Sequence, residues 1–328
     1  MLTLDRILVP TDFSATAADA VRRGGAMARR LNADLHVLHV TRGRELSALV
    51  RRLMEADTAA AERLVRHASD WLGLTAPDGR EGTGRTGPSR KPEPSSTPPG
   101  QFVRAVRRAR VPPDGILSYA REIAADLIVI GTSGRAPGRG PWLGSVADRV
   151  IRRARCSVVT VRPDLATPPA GRSDAPARRR IVVPIDFSGA TRSLVAHAKH
   201  WAETFGATVS FLHVVGRQDS STPTRDEPPP AQNDPQTTNA RSRLAATVEA
   251  TEGPDVNTDT RVLTGGDVAS RIVQYAETQR ARFLLMAAHG LSNLRRYLLG
   301  GVTDRVIRRA PCPVCTLKSY EQSLITTT

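Results

Sequence analysis

The sequence predicts an α/β fold in two tandem domains, each a parallel sheet with helices on both faces. Two observations carry this. Short apolar, β-branched runs alternate with amphipathic helical stretches along the chain, a pattern that aligns strands in parallel and needs helices to cover both sides of them. The chain also repeats itself: RILVPTDFS at 6–14 returns as RIVVPIDFS at 180–188, and DRVIRRA stands at both 148–154 and 304–310. A length of 328 residues suits two domains of ordinary size, each able to bury a core.

In order, residues 6–14 read as a short buried strand that stops at Pro10 and turns through Asp12 and Ser14. An amphipathic helix follows at 17–31, with its copy at 191–205, on the spacing of apolar and small residues. The second strand spans 34–40 and 208–215, and both copies carry Leu-His-Val. A long helix is expected at 45–72 and again at about 238–251, then a third strand near 102–111 and 260–263. A helix at 115–124 and 267–278 shares a Tyr-Ala pair, Tyr119-Ala120 and Tyr275-Ala276, and leads to the fourth strand, residues 127–130 in the first copy. After a glycine loop and the DRVIRRA helix comes a fifth strand at 157–161 and 314–317.

The early landmarks are offset by 174 positions and the late ones by 156, so the first copy holds about eighteen extra residues in its middle. They fall at 76–100, a stretch so rich in Gly, Pro, Ser and charge that it reads as a disordered insert. Its Gly82-Thr-Gly84-Arg-Thr-Gly87 matches a dinucleotide fingerprint, but no strand precedes it and no apolar helix follows, so it is set aside. A smaller insert spans 216–240. The domains are therefore 1–163 and 180–318, joined by a Pro/Ala/Arg linker at 164–179 and followed by a tail at 319–328.

Composition excludes several functions. With 40% hydrophobic and 4% aromatic residues the cores are aliphatic, and no apolar run is long enough to span a membrane. The opening MLTLDRILVP reads as a strand, not a leader, so a cytoplasmic location is expected. Three cysteines, Cys156, Cys312 and Cys315, are too few for a disulfide framework. Cys312-Pro-Val-Cys315 begins a strand, whereas a low-pKa redox thiol wants a helix start and zinc needs more ligands, so it reads as structural. The formal charge of +15 comes from scattered arginines with little aromatic interleaving; salt-sensitive, non-specific nucleic-acid binding fits it, a specific interface does not.

The chemistry concentrates in DLIVIGTSGRAPGRGPWLGSV, residues 126–146. A strand ends at Gly131, Gly134 follows, and Gly144-Ser145 precede a helix whose first turn is 146–148, with Ser145 expected as its cap. Glycines and a helix start let backbone N–H groups approach an anion. This Gly-x2-Gly-x9-Gly-Ser spacing resembles the ATP-binding signature of the universal stress protein family, and the whole arrangement is similar to a tandem member of it.

The resemblance implies two five-stranded doubly wound sheets of order 3-2-1-4-5, with ATP, accompanied by Mg2+, at the carboxyl ends of strands 1 and 4, where the order reverses. It places Pro10, Thr11 and Asp12 on the adenine side and Val40 against the base. Gly131, Gly134 and Arg135 lie around ribose and phosphates, and Gly144, Ser145 and Val146 at the phosphate-binding helix start. In the second copy Pro184, Asp186, Val214, Gly290 and Gly300 persist, but Gly131 becomes Ala287 and Ser145 becomes Gly301, which implies weaker binding or none. The resemblance further implies pairing of the two domains through their fifth strands. No catalytic or metal-ligating residue is assigned: there is no P-loop motif and no lysine in either loop. His39 and His213 read as satisfied strand residues, and His289 as a loop residue. Three functions follow as expectations: an ATP-binding, non-enzymatic stress or regulatory protein acting on an unidentified protein partner; a slow ATPase or phosphoryl-transfer enzyme; and a scaffold without nucleotide. Dimerisation of the tandem unit stays open.

Overall fold

The computed structural model describes residues 2–41, 100–133, 143–163, 179–216, 234–288 and 299–318. The first domain runs β1 (Arg6–Thr11), α1 (Ala15–Leu31), β2 (Asp34–Thr41), β3 (Phe102–Arg108), α2 (Pro112–Glu122), β4 (Leu127–Gly131), α3 (Ser145–Arg153) and β5 (Ser157–Val161). The second runs β6 (Arg180–Pro184), α4 (Thr191–Phe205), β7 (Thr208–Val215), α5 (Pro235–Glu249), β8 (Thr258–Thr264), α6 (Val268–Thr278), β9 (Phe283–Ala287), α7 (Gly301–Arg309) and β10 (Val314–Leu317). The expected helix at 45–72, nearly all of the 76–100 insert, the linker from 164 to 178 and the tail lie outside the described residues.

All ten strands join in one sheet, in the order β3-β2-β1-β4-β5-β10-β9-β6-β7-β8. Each half therefore has the order 3-2-1-4-5, parallel within itself. The halves meet where β5 and β10 pair antiparallel, Val159 opposite Cys315, so the fifth strands pair inside one chain. Thr160 Oγ1 donates to the Val314 carbonyl and Thr316 Oγ1 to that of Val158, both at 3.2 Å, tying the same joint from each side.

Period-two burial sorts the strands onto two faces. Ile7 and Val9, with Leu127 and Val129, pack against α1 and belong to a layer that continues through α4 and α5 of the second domain. Leu8, Ile128 and Ile130 face the other way, into a second layer that contains residues of α2, α3, α6 and α7. Both layers contain residues of both domains, so each core crosses the joint without interruption. On the second face His36 Nδ1 and the Tyr119 hydroxyl meet at 3.0 Å, and burial lowers the histidine's pKa and raises the tyrosine's.

Three expectations are corrected. The third strand of the first domain ends at Arg108, not Val111, because the Val111 backbone is already the cap of α2, with Pro112 pre-set for the first helical position. The insert assigned to 216–240 is too long: α5 starts at Pro235, and Thr237 and Leu244 bury against the first face or beside it. And β8, expected over 260–263, extends over Thr258–Thr264 by pairing with β7.

Candidate functional site

The site is built at the carboxyl edge of the first domain's sheet, where β1 lies between β2 and β4 and the connections leave in opposite directions. Strand β1 delivers Pro10 and Thr11 to this edge and turns through Asp12-Phe13-Ser14. The turn holds itself: Asp12 Oδ1 accepts from the Ser14 N–H at 3.0 Å and Thr11 Oγ1 from the Phe13 N–H at 3.1 Å. Ser14 then caps α1 by accepting from the Ala17 N–H at 3.2 Å. Phe13 sits in the left-handed region, φ 65°, which an aromatic residue adopts only where its surroundings enforce it. Its ring lies 4.7 Å from the His39 ring, and His39 Nδ1 donates to the Thr11 carbonyl at 2.9 Å. Thus the end of β2, with Val40 beside His39, is locked to the turn of β1. His39 is thus the satisfied strand residue the sequence predicts, while the role of Phe13 is not predicted; its signal is the paired occurrence of Asp-Phe-Ser and Leu-His-Val in both copies. The second copy repeats the device, with Phe187 at φ 57° and His213 Nδ1 donating to the Ile185 carbonyl at 2.7 Å.

Across from this turn, β4 ends at Gly131, and the Gly144 N–H donates to the Thr132 carbonyl at 2.7 Å, closing the loop at its base. The first intrahelical bond of α3 runs from Asp148 to Gly144, so the N–H groups of Ser145, Val146 and Ala147 have no partner within the helix and form an anion-binding end. Gly144 is the cap residue and no side chain caps this end, which corrects the expectation for Ser145: it is the first helical residue, exposed, with its hydroxyl not spent on capping.

The two halves of the site are joined by residues that sequence reasoning missed. Thr16, buried in the first turn of α1, places Oγ1 3.2 Å from Ser133 Oγ in the glycine loop. A Cβ on Gly131 would stand 2.9 Å from Thr16 Cγ2 and 3.2 Å from Thr16 backbone atoms. Gly131 is thus required by the approach of α1. By the offset of the repeat, the partners of Thr16 and Ser133 in the second domain are Ala190 and His289. The smaller residue at 190 accompanies the methyl at 287, and the hydroxyl pair is lost.

The structure therefore brings Pro10, Thr11, Asp12, Val40, Gly131, Gly144, Ser145 and Val146 to one edge. Gly134 and Arg135 lie outside the described residues, as does Gly290. In the second domain Pro184, Asp186, Val214 and Gly300 occupy equivalent places, with Asp186 Oδ1 accepting from the Ser188 N–H at 2.9 Å and the Gly300 N–H donating to the Ala288 carbonyl at 3.0 Å. All three cysteines are buried, reduced thiols. Burial pushes the thiols of Cys156 and Cys312 up to about 12, away from the low values of reactive cysteines. Among the described residues no three His, Cys, Asp or Glu side chains are grouped to share a metal ion. None of the described helices is long and apolar enough to cross a membrane.

A family model described as Universal stress protein family matches this chain twice, over residues 3–162 and 177–318. A universal stress protein of Methanocaldococcus jannaschii is 29% identical over 157 residues, 48% of this chain and 81% of its own length. One of Mycobacterium tuberculosis is 28% identical over 190 residues, 58% of this chain and 61% of that protein. Among solved structures, a universal stress protein from Archaeoglobus fulgidus superposes with a TM-score of 0.61 at 18% identity, covering 97% of each chain. One from Pseudomonas aeruginosa does so with a TM-score of 0.57 at 14% identity, covering 96% of this chain and 93% of its own.

Proposed function

Because the chain belongs to the universal stress protein family, we propose that it is an adenine-nucleotide-binding regulatory protein that holds ATP in its first domain and reports occupancy to a protein partner. The observation that carries this reading is the bridge from Thr16 to Ser133. It fixes the starts of α1 and α3 around one glycine loop, so two positive helix ends face the same edge. Asp12 and the backbone near Val40 then offer hydrogen-bond partners for the base and ribose. The second domain keeps its turn and its Gly300 closure but lacks the hydroxyl pair and the serine, so it holds nucleotide weakly or not at all. Magnesium would accompany the nucleotide and offset its phosphate charge.

The reading is of a binder, not an enzyme. Fast phosphoryl transfer needs a group to orient the nucleophile and cations placed over the transferring phosphate. The nearest carboxylate on α3, Asp148, is engaged by Arg152 Nε at 3.0 and 3.1 Å. Turnover is expected far below the ~1–10³ s⁻¹ of ordinary enzymes. A partner-binding role, a location in the cytoplasm and a stress-linked physiology are parts of the same proposal.

Titration calorimetry tests it. About one ATP per chain is expected, weakened ~10-fold or more by Ser145→Glu, which sets a carboxylate at the anion-binding end. Gly301→Glu, at the same place in the second domain and with open space around it, should leave the titration unchanged. Two equal sites, or no binding, would refute the reading. Steady-state turnover near one per second that vanishes in Ser145→Ala would instead establish an ATPase.

A further inference from the structure

Four charged side chains form a ring where α3 and α7 meet across the domain joint. The Arg152 guanidinium grips both oxygens of Asp148 and reaches Asp304 Oδ1 of the other domain at 3.0 Å. Arg308 grips Asp304 at 2.8 and 3.2 Å, and its Nη2 lies 3.8 Å from Asp148 Oδ1. The four side chains are only 22–29% exposed, so solvent screens them incompletely. Two carboxylates and two guanidinium groups leave the ring neutral.

Both carboxylates stand in the first turn of their helices. There a lone negative charge competes with phosphate for the positive helix end. Asp148 lies within about one turn, ~5.4 Å along the axis, of the N–H groups of Ser145 and Val146. Neutralising it is therefore a condition for holding several phosphate charges there. The second domain shares the seven-residue DRVIRRA run with the first while its glycine and serine positions have changed, so it keeps the half of the ring it supplies. We infer that Arg308 of the second domain is a positioning residue for the phosphates bound by the first, acting through Arg152 and Asp148 across the joint, while Asp304 holds part of that positive charge within the ring. This rests on the nucleotide reading above.

The experiment compares adenosine, AMP, ADP and ATP by calorimetry on the full chain. Arg308→Gln leaves the ring with a net negative charge. It should weaken ATP about three- to tenfold, ADP and AMP progressively less, and adenosine less than about twofold, the size of one partly screened charge near the phosphates. Arg308→Lys should stay near the unaltered chain. Asp304→Asn reverses the sign and should tighten ATP about two- to fivefold with adenosine unmoved, a gain that mere damage to the joint does not produce. If Arg308→Gln weakens ATP and adenosine alike, or Asp304→Asn does not tighten ATP, the ring serves only to join the domains and the inference is overturned. An unaltered chain that binds neither ATP nor adenosine overturns the nucleotide reading, and this inference with it.

Discussion

Gly131 shows how a motif residue can answer to two demands. In the sequence it is the first glycine of a phosphate signature; in the structure its missing side chain admits Thr16, whose Cγ2 would stand 2.9 Å from an added methyl. Gly131→Ala should therefore cost about 1–3 kcal/mol of stability through overpacking. The added Thr16→Ala should recover much of this, because the second domain carries alanines at both equivalent positions, 190 and 287. Thermal unfolding of the two variants decides it; a double variant no more stable than Gly131→Ala would assign the cost elsewhere. The Thr16 to Ser133 contact was not legible beforehand. It joins residues 117 positions apart, and neither type nor spacing marks them as a pair. The Ser145 cap was misplaced by one residue because glycine and serine are both acceptable at a helix start, and only the backbone says which of them takes the position.

At the scale of elements, β5 and β10 coincide with the expected 157–161 and 314–317, because each is a short, mostly apolar or β-branched run with a helix end before it. The repeat adds to this, since each landmark stands in both copies. It fails where the copies differ in composition. The start of α5 lies in a stretch dense in Pro, Asp and Gln, and its burial comes mainly from Thr237, Leu244 and Val248, too sparse a stripe to reveal where the helix begins. The paired fifth strands also seal the thiols. Cys315 is fully buried and faces Val159, itself 1% exposed. All three cysteines of the native chain are expected to resist a disulfide reagent such as Ellman's until unfolding. Val159→Lys, which forces a charge into the joint at a cost of several kcal/mol, should open them to it. Rapid labelling of the unaltered chain would contradict the burial described.

Among the described residues one ten-stranded sheet and two core layers run through both domains, so neither half presents a finished surface where the other would be. Residues 1–163 produced alone should accordingly assemble as a dimer through β5, whose five residues are all buried in the intact chain. The ring can close there too, since Asp148 and Arg152 of one copy are the counterparts of Asp304 and Arg308. Sedimentation equilibrium at micromolar concentration tests this, and a stable monomer would show that the joint is dispensable.

The central place of β10 also dictates an order of events on the ribosome. Although it is the last of the described strands to be made, β10 lies in the middle of the sheet, and β3 and β8, made earlier, lie at its rims. The open edge of β5 must wait for Leu317, 156 residues after Val161, which at ~5–20 residues per second is about 8–30 s of synthesis. During that interval a nascent first domain carries an unpaired apolar strand. Neighbouring chains on the same message carry the same strand, so pairing in trans competes with the partner still being made, and a chaperone or a slow translation rate would shift that competition.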